Sequence, residues 1–444
     1  MKNYISYSAN NLAILKQFDK IGNSRFKEIQ IAAKILPFKT NNYVTDNLID
    51  WDNIPDDPIY TLTFPRKEML NDETYLNLEK LLVDGAGKKV ANYVNEVRLK
   101  LNPHPAGQKH NIPQINNEYL YGVQHKYKQT VLFFPKQGQT CHAYCTFCFR
   151  WPQFVGIDEL KFAMKEIELL VEYLAVHKEV TDVLFTGGDP MIMKTKILSA
   201  YIEPLLNENL SHIQTIRIGT KALGYWPYRF LTDSDADEVL LLFERIVKAG
   251  KNLAIMAHFN HPVELSTSEV QEAIRRIRNT GAQIRTQSPI LKHINDKPEI
   301  WADMWRKQVN NNCIPYYMFV ARDTGAQDFF AVNLHNAWDI FRKAYQNVSG
   351  VCRTVRGPSM STTPGKIQIL GVSEINGKKV FVMRFLQGRN PDWVAKPFFA
   401  KYDEKAIWLD DLKPAFNENK FFFEEELENI FKQKINDSEA EDFE

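Results

Sequence analysis

From Val131 onward, short apolar runs rich in β-branched residues alternate with longer amphipathic runs. This alternation restricts the fold more than any other feature of the chain. The apolar runs fall at 131–134, 182–186, 214–219, 253–258, 284–287 and 315–320. The stretches at 157–177, 193–206, 234–249, 266–280, 298–311 and 329–347 place apolar side chains at helical spacing. Strands this short, joined by helices this long, pair in parallel through crossover connections. Six such units predict an α/β fold with a partial parallel (β/α)6 barrel. An open doubly wound sheet is the alternative.

The flanks read differently. Residues 10–36 predict two short helices broken near Gly22-Asn23-Ser24, and 72–101 predicts a helical stretch hinged at Gly85-Ala86-Gly87. The prolines of 46–66 and the polar run 102–127 read as extended connector and loop. Residues 349–371, rich in Gly, Ser and Thr, read as a functional loop between short strands. An Asn376-Gly377 turn then precedes a strand near 378–385. The expected organisation is an N-terminal helical region 1–101, a core 102–372 and a C-terminal extension 373–444 that ends in an acidic, solvated tail.

The chain has 55 Lys and Arg against 54 Asp and Glu. That balance gives no general attraction to nucleic acid or to an anionic membrane surface. No apolar run reaches the ~18 residues of a membrane span, and the first ten residues lack a signal core. A cytoplasmic protein without nucleic-acid or membrane partners is the expectation. The five cysteines are an odd number, and three crowd one loop, which argues for metal or redox use in a reducing compartment.

Those three are Cys141, Cys145 and Cys148, at C-x3-C-x2-C spacing directly after the first predicted strand. Thiolates hold iron–sulfur clusters, and three of them leave one iron of a [4Fe–4S] cube without a protein ligand. An open coordination site is what a catalytic metal centre needs. Structural zinc is the alternative, but it uses two close ligand pairs, and Cys313 and Cys352 are single and far apart. His142 sits too close to Cys141 in sequence to serve comfortably as a fourth ligand. One βα unit later, Gly187-Gly188-Asp189-Pro190 ends a strand. Glycines there let backbone approach a ligand, and Asp189 can accept from an ammonium.

The cysteine spacing, with Phe147 before the third cysteine, resembles the radical S-adenosylmethionine (radical SAM) superfamily. Cys148-Phe149-Arg150, the Gly-Gly-Asp-Pro turn, Arg217-Ile-Gly-Thr220, His258-Phe-Asn-His-Pro262, Thr286-Gln-Ser288 and Pro315-Tyr-Tyr317 follow in order over about 102–372. Together they resemble the lysine 2,3-aminomutase family. The resemblance implies that the cysteines hold a [4Fe–4S] cluster and that Gly187, Gly188 and Asp189 position SAM. Phe147, Arg217, His258 and Gln287 become candidate cofactor or substrate contacts. It also implies reductive cleavage of SAM to a 5′-deoxyadenosyl radical, fed by an electron donor such as flavodoxin or ferredoxin.

That family also binds pyridoxal phosphate, through a lysine after a glycine run and an arginine matched here by Arg150. Here the glycine run is replaced by Ser359-Met-Ser-Thr-Thr363, and the lysine position falls on Thr362 or Thr363. Lys366 is the local substitute, expected at the surface or a helix end. Of two substrate-binding aspartates, one is matched by Asp323 and the other by Arg356, which reverses the charge and suits an anion. The expected function is hydrogen abstraction from a small polar, amino-acid-like or anionic substrate. The alternatives are a pyridoxal-phosphate-dependent amino acid 2,3-aminomutase and a non-catalytic iron–sulfur electron-transfer or sensor protein.

Overall fold

The computed structural model describes residues 2–85, 87–102, 109–156 and 162–441. Two small antiparallel strand pairs stand apart from the main sheet. β1 (Ser6–Tyr7) pairs with β2 (Thr40–Asn41), and β3 (Gln114–Ile115) pairs with β4 (Glu118–Tyr119).

The six apolar runs are six parallel strands: β6 (Thr130–Phe133), β7 (Asp182–Phe185), β8 (Thr215–Thr220), β9 (Asn252–His258), β10 (Gln283–Ile290) and β11 (Ile314–Val320). β5 (Val123–Tyr127) adds antiparallel to β6. Neighbours in the sheet follow chain order throughout. A doubly wound sheet reverses its order at a switch point, so the sequential order excludes that alternative.

The sheet also curls. Lys126 on β5 donates to the Thr362 carbonyl, beyond the far end of the parallel run. That contact closes the gap between first and last strands and makes the parallel strands a partial barrel. The helices Thr195–Ile202, Ala236–Lys248, Ser268–Asn279, Pro298–Asn310 and Leu334–Gln346 follow successive strands. Their apolar faces bury Val239, Phe243, Ile274 and Ile277 against strand residues such as Ile216 and Ile255.

Three readings need correction. The stretch read as a functional loop holds a seventh parallel strand, β12 (Arg356–Ser361), which pairs with β11. β13 (Gly365–Ile375), β14 (Lys378–Gly388) and β15 (Pro397–Lys401) then continue the sheet antiparallel. Their apolar faces form a second core with Trp393, Trp408 and Phe423. The connector 46–66 contains a helix, Pro58–Thr63, with the Asp57 carboxylate capping the Tyr60 amide at 2.7 Å. The polar run 102–127 ends in strand β5 rather than in loop.

The N-terminal helices match expectation. Phe18–Ala32 is interrupted at Gly22 (φ 69°), and Asp72–Val83 and Gly87–Lys100 flank the hinge. Among the described residues no helix is long and apolar enough to cross a membrane.

Candidate active site

The cysteine loop leaves β6 through a single turn, Lys136–Gly138, at the C-terminal end of the parallel strands. Barrel chemistry concentrates at that end. The Gly-Gly-Asp turn is stitched to the backbone just before Cys141. The Asp189 amide donates to the Gly138 and Thr140 carbonyls at 3.0 and 2.8 Å. A Cβ on Gly188 would lie 2.5 Å from the Thr140 nitrogen, and one on Gly187 (φ 135°) would lie 2.2 Å from the Gln139 side chain. The glycines are therefore required for close packing under the cysteine loop.

Asp189 is 2 % exposed. Its carboxylate accepts from Met191 N, Thr220 Oγ1 and Lys221 N, each at 2.9 Å. Burial pushes its pKa up to about 6, against the pull of those hydrogen bonds. The side chain thus ties the ends of β7 and β8 together. A ligand at this turn meets backbone before it meets the carboxylate.

The loop is held from its other side by the N-terminal region. Lys39 Nζ donates to the Cys141 carbonyl at 2.7 Å, and Tyr4 Oη and Asn41 Nδ2 donate to the His142 carbonyl at 2.6 and 3.1 Å. The Thr146 amide and hydroxyl donate to Leu62 O and Thr61 O at 2.9 and 2.7 Å, the free carbonyls at the end of helix Pro58–Thr63. These residues carry no metal-binding chemistry, and sequence reasoning missed them. The Asp57-Pro58 start of that helix was the available signal.

Cys145 Sγ lies 3.7 Å from the Tyr225 hydroxyl. Burial pushes the Cys145 and Cys148 thiols up to about 12 and about 11, and raises Cys141 well above the ordinary thiol range. Metal binding would therefore release protons from this loop. Among the described residues, no three His, Cys, Asp or Glu side chains converge as ligands of one metal ion would. Three thiols on one short loop are the kind of donor set by which iron–sulfur clusters are held. His142 is buried, stacked on Trp226, with its pKa pushed by burial down to about 3. It is packed as a core residue.

Phe147 packs edge-on against Phe330. Arg150 lies over the Phe134 and Phe149 rings at 4.5 and 5.0 Å, with a buried Nη1 that has no protein partner. Burial pulls its pKa down to about 10. An unpartnered guanidinium nitrogen there fits an anionic group such as phosphate. His258 Nε2 accepts from the Gln287 amide at 2.8 Å and is kept neutral, its pKa driven to about 3 by burial with Lys221 and Arg150 adding. Those two residues do come together. Arg217 does not join them. It lies mid-strand on β8 in a bidentate pair with Asp182, at 2.8 and 2.5 Å.

Deeper in the barrel, Arg356 on β12 stacks on Tyr316 and Tyr317 at 4.2 and 4.6 Å. Lys366 contradicts its expected surface position. It lies on β13, with its ammonium 4.2 Å from the centre of the Tyr317 ring. Burial pushes it down to about 7, with Arg217 and Arg356 adding to the fall. The strand β12 that the sequence concealed is what turns β13 inward and carries Lys366 into the lumen. Thr362 spends its own donors on its turn, the amide and hydroxyl both reaching the Gly365 carbonyl at 2.9 Å. Asp323 is held by its neighbour Arg322 at 3.4 Å.

No family model matches the chain. Over 402 residues it is 31% identical to a putative L-lysine 2,3-aminomutase of Aquifex aeolicus, covering 89% of this chain and 93% of that protein. It is 24% identical to an L-lysine 2,3-aminomutase of Methanococcus maripaludis over 73% of this chain, spanning 64% of that protein's length. It is also 24% identical to a glutamate 2,3-aminomutase of Clostridioides difficile, over 64% of this chain and 61% of that protein. A crystal structure of a radical SAM methyltransferase from Sphaerobacter thermophilus superposes at TM-score 0.38 with 14% identity, covering 54% of this chain and 68% of that one, a likeness too loose to argue from.

Proposed function

The chain belongs to the radical SAM lysine 2,3-aminomutase family, and on that premise we propose that it takes a hydrogen atom from an amino-acid-like substrate held in the barrel lumen. Cys141, Cys145 and Cys148 would hold a [4Fe–4S] cluster, and the Gly187–Asp189 turn would present backbone to SAM beside it. When bound, cluster and SAM supply the 5′-deoxyadenosyl radical, with the electron delivered by a flavodoxin or ferredoxin. The chain's own part is positional. The loop is fixed by Lys39, Tyr4, Asn41 and Thr146.

The observation that carries this reading is the stitching of the Gly-Gly-Asp turn to the cysteine loop at the C-terminal mouth of the barrel. The test is anaerobic. Reconstituted, reduced protein given SAM releases 5′-deoxyadenosine; failure under competent reduction rejects the reading in favour of a non-catalytic iron–sulfur protein.

A second reading, a pyridoxal-phosphate-dependent amino acid 2,3-aminomutase, is favoured by the position of Lys366. A lysine near pH 7 in a desolvated lumen is a competent amine nucleophile. Lys366 would hold the coenzyme aldehyde and Arg150 its phosphate. The coenzyme, when bound, supplies an electron-delocalising ring for amino migration. Protein purified with pyridoxal phosphate then keeps a coenzyme absorbance band through gel filtration, and Lys366→Ala loses it. A protein that never retains the coenzyme excludes this reading.

A further inference from the structure

Among the described residues, basic side chains outnumber acidic ones in the lumen. Lys126, Arg322 and Arg389 meet around the end of β5, and Lys126 senses all of Arg322, Arg389 and Lys366 as neighbouring charges. Lys366 in turn lies among Arg217 and Arg356. Among the described residues, the carboxylates that act on these cations are Asp182 and Asp323. Each is already committed, Asp182 to Arg217 and Asp323 to Arg322. Among the described residues, Lys126, Arg356, Lys366 and Arg389 form no ion pair with a carboxylate. Lys126 donates to the Thr362 carbonyl, and Arg389 gives one bond to Thr363 O at 2.9 Å while its buried Nη2 has no hydrogen-bond partner among the described residues.

Like charges gathered in a low-dielectric space repel strongly, and a folded chain tolerates them where a ligand supplies the opposite charge. The cations are also held for recognition rather than left to find water. Arg356 lies over the adjoining Tyr316 and Tyr317 rings, and Lys366 lies over Tyr317 beside Phe319. A planar guanidinium fixed this way presents its fork to one bidentate partner, a carboxylate or phosphate. Among the described residues, an ammonium-ended side chain would find here only carboxylates already paired with arginine.

We propose that the lumen is a receptor for an α-amino acid whose side chain ends in a second acidic group, carboxylate or phosphate, with Arg356 and Lys366 taking one anion and the Lys126–Arg389 face the other. The inference rests on the reading of the lumen as a substrate site. It adds the charge class of the substrate, and the two are tested separately.

The experiment is equilibrium binding by calorimetry at fixed ionic strength, with cluster-reconstituted, unreduced protein so that no turnover occurs. The probes are L-glutamate, O-phospho-L-serine, L-lysine and L-norleucine. The acidic probes are expected to bind at least about tenfold more tightly than L-lysine or L-norleucine, a gap of ~1.4 kcal/mol. Preference between glutamate and phosphoserine distinguishes a carboxylate from a phosphate pocket. Arg356→Asp is expected to reverse the order in favour of L-lysine. If that variant misfolds, Arg356→Gln serves, with selectivity falling toward unity. Equal or tighter binding of L-lysine by the unaltered protein overturns the inference, as does no binding of either acidic probe, or an unchanged order in the variant. Release of 5′-deoxyadenosine by the unaltered protein tests the radical reading independently, because it requires no particular substrate side chain.

Discussion

The two ends of the barrel solve opposite problems. At the mouth, the cysteine loop is braced by hydrogen bonds from Tyr4, Lys39 and Asn41 and to the last carbonyls of helix Pro58–Thr63. Its polar backbone is braced by protein, and its three half-buried thiols are raised above the ordinary thiol range, which keeps them protonated until metal arrives. In the lumen the balance is reversed. Among the described residues, basic groups outnumber carboxylates there, and buried nitrogens of Arg150 and Arg389 have no hydrogen-bond partner. A rigid, self-satisfied region suits a reactive centre that must be held still. A region left electrostatically incomplete suits a site completed by its ligand.

Four changes break or sharpen that contrast. The largest effect is expected from Cys145→Ala. Removing one of three thiolates should abolish cluster retention, read as loss of bound iron and of the cluster's visible absorbance; full iron content in the variant would contradict the ligand assignment.

Next is the pH dependence of stability set by Lys366. Its pKa of about 7 in the fold compares with about 10.4 in an unfolded chain. Between those values the unfolded chain holds a proton that the folded chain lacks, so this group makes stability rise with pH from about 7 to about 10. The slope is bounded at ~1.4 kcal/mol per pH unit and is smaller where water enters the lumen. Lys366→Met should flatten it. Denaturant midpoints against pH for both proteins measure the difference, and identical slopes would place Lys366 in solvent.

Gly188→Ala should cost ~1–3 kcal/mol, because the new methyl meets the Thr140 backbone rather than a movable side chain. It should also lower cluster occupancy, which a purely local packing defect would leave intact. The smallest effect belongs to the braces. Thr146→Val removes the hydrogen bond to Thr61 O and should cost ~1 kcal/mol in denaturant unfolding. A neutral result would mean that the N-terminal region rests on the loop without holding it.

Five of the six parallel strands were legible within a residue, because β-branched apolar runs between amphipathic helices have few other uses; the sixth, β10, ran three residues further than its apolar run. Strand β12 was not. Arg356-Gly-Pro-Ser-Met-Ser361 has the composition of a loop, and its extended form is imposed by pairing with Tyr317 and Phe319 from another part of the chain. The hidden strand also concealed Lys366. A lysine after Pro364-Gly365 reads as exposed until β13 is seen to turn back into the sheet. The cysteine loop was legible because its chemistry is carried by side chains at fixed spacing. Its braces were not, since Thr146 and Lys39 act on carbonyl oxygens that every residue possesses. Arg217 misled for the opposite reason. Its partner Asp182 lies on a neighbouring strand, and nothing local shows that its charge is already used.

The most direct test of the whole account is deuterium transfer into 5′-deoxyadenosine under anaerobic reduction, using perdeuterated L-glutamate and O-phospho-L-serine beside perdeuterated L-lysine. The account predicts label in 5′-deoxyadenosine from an acidic amino acid and none from lysine. Label from lysine alone, or unlabelled 5′-deoxyadenosine with every acidic substrate, would contradict it.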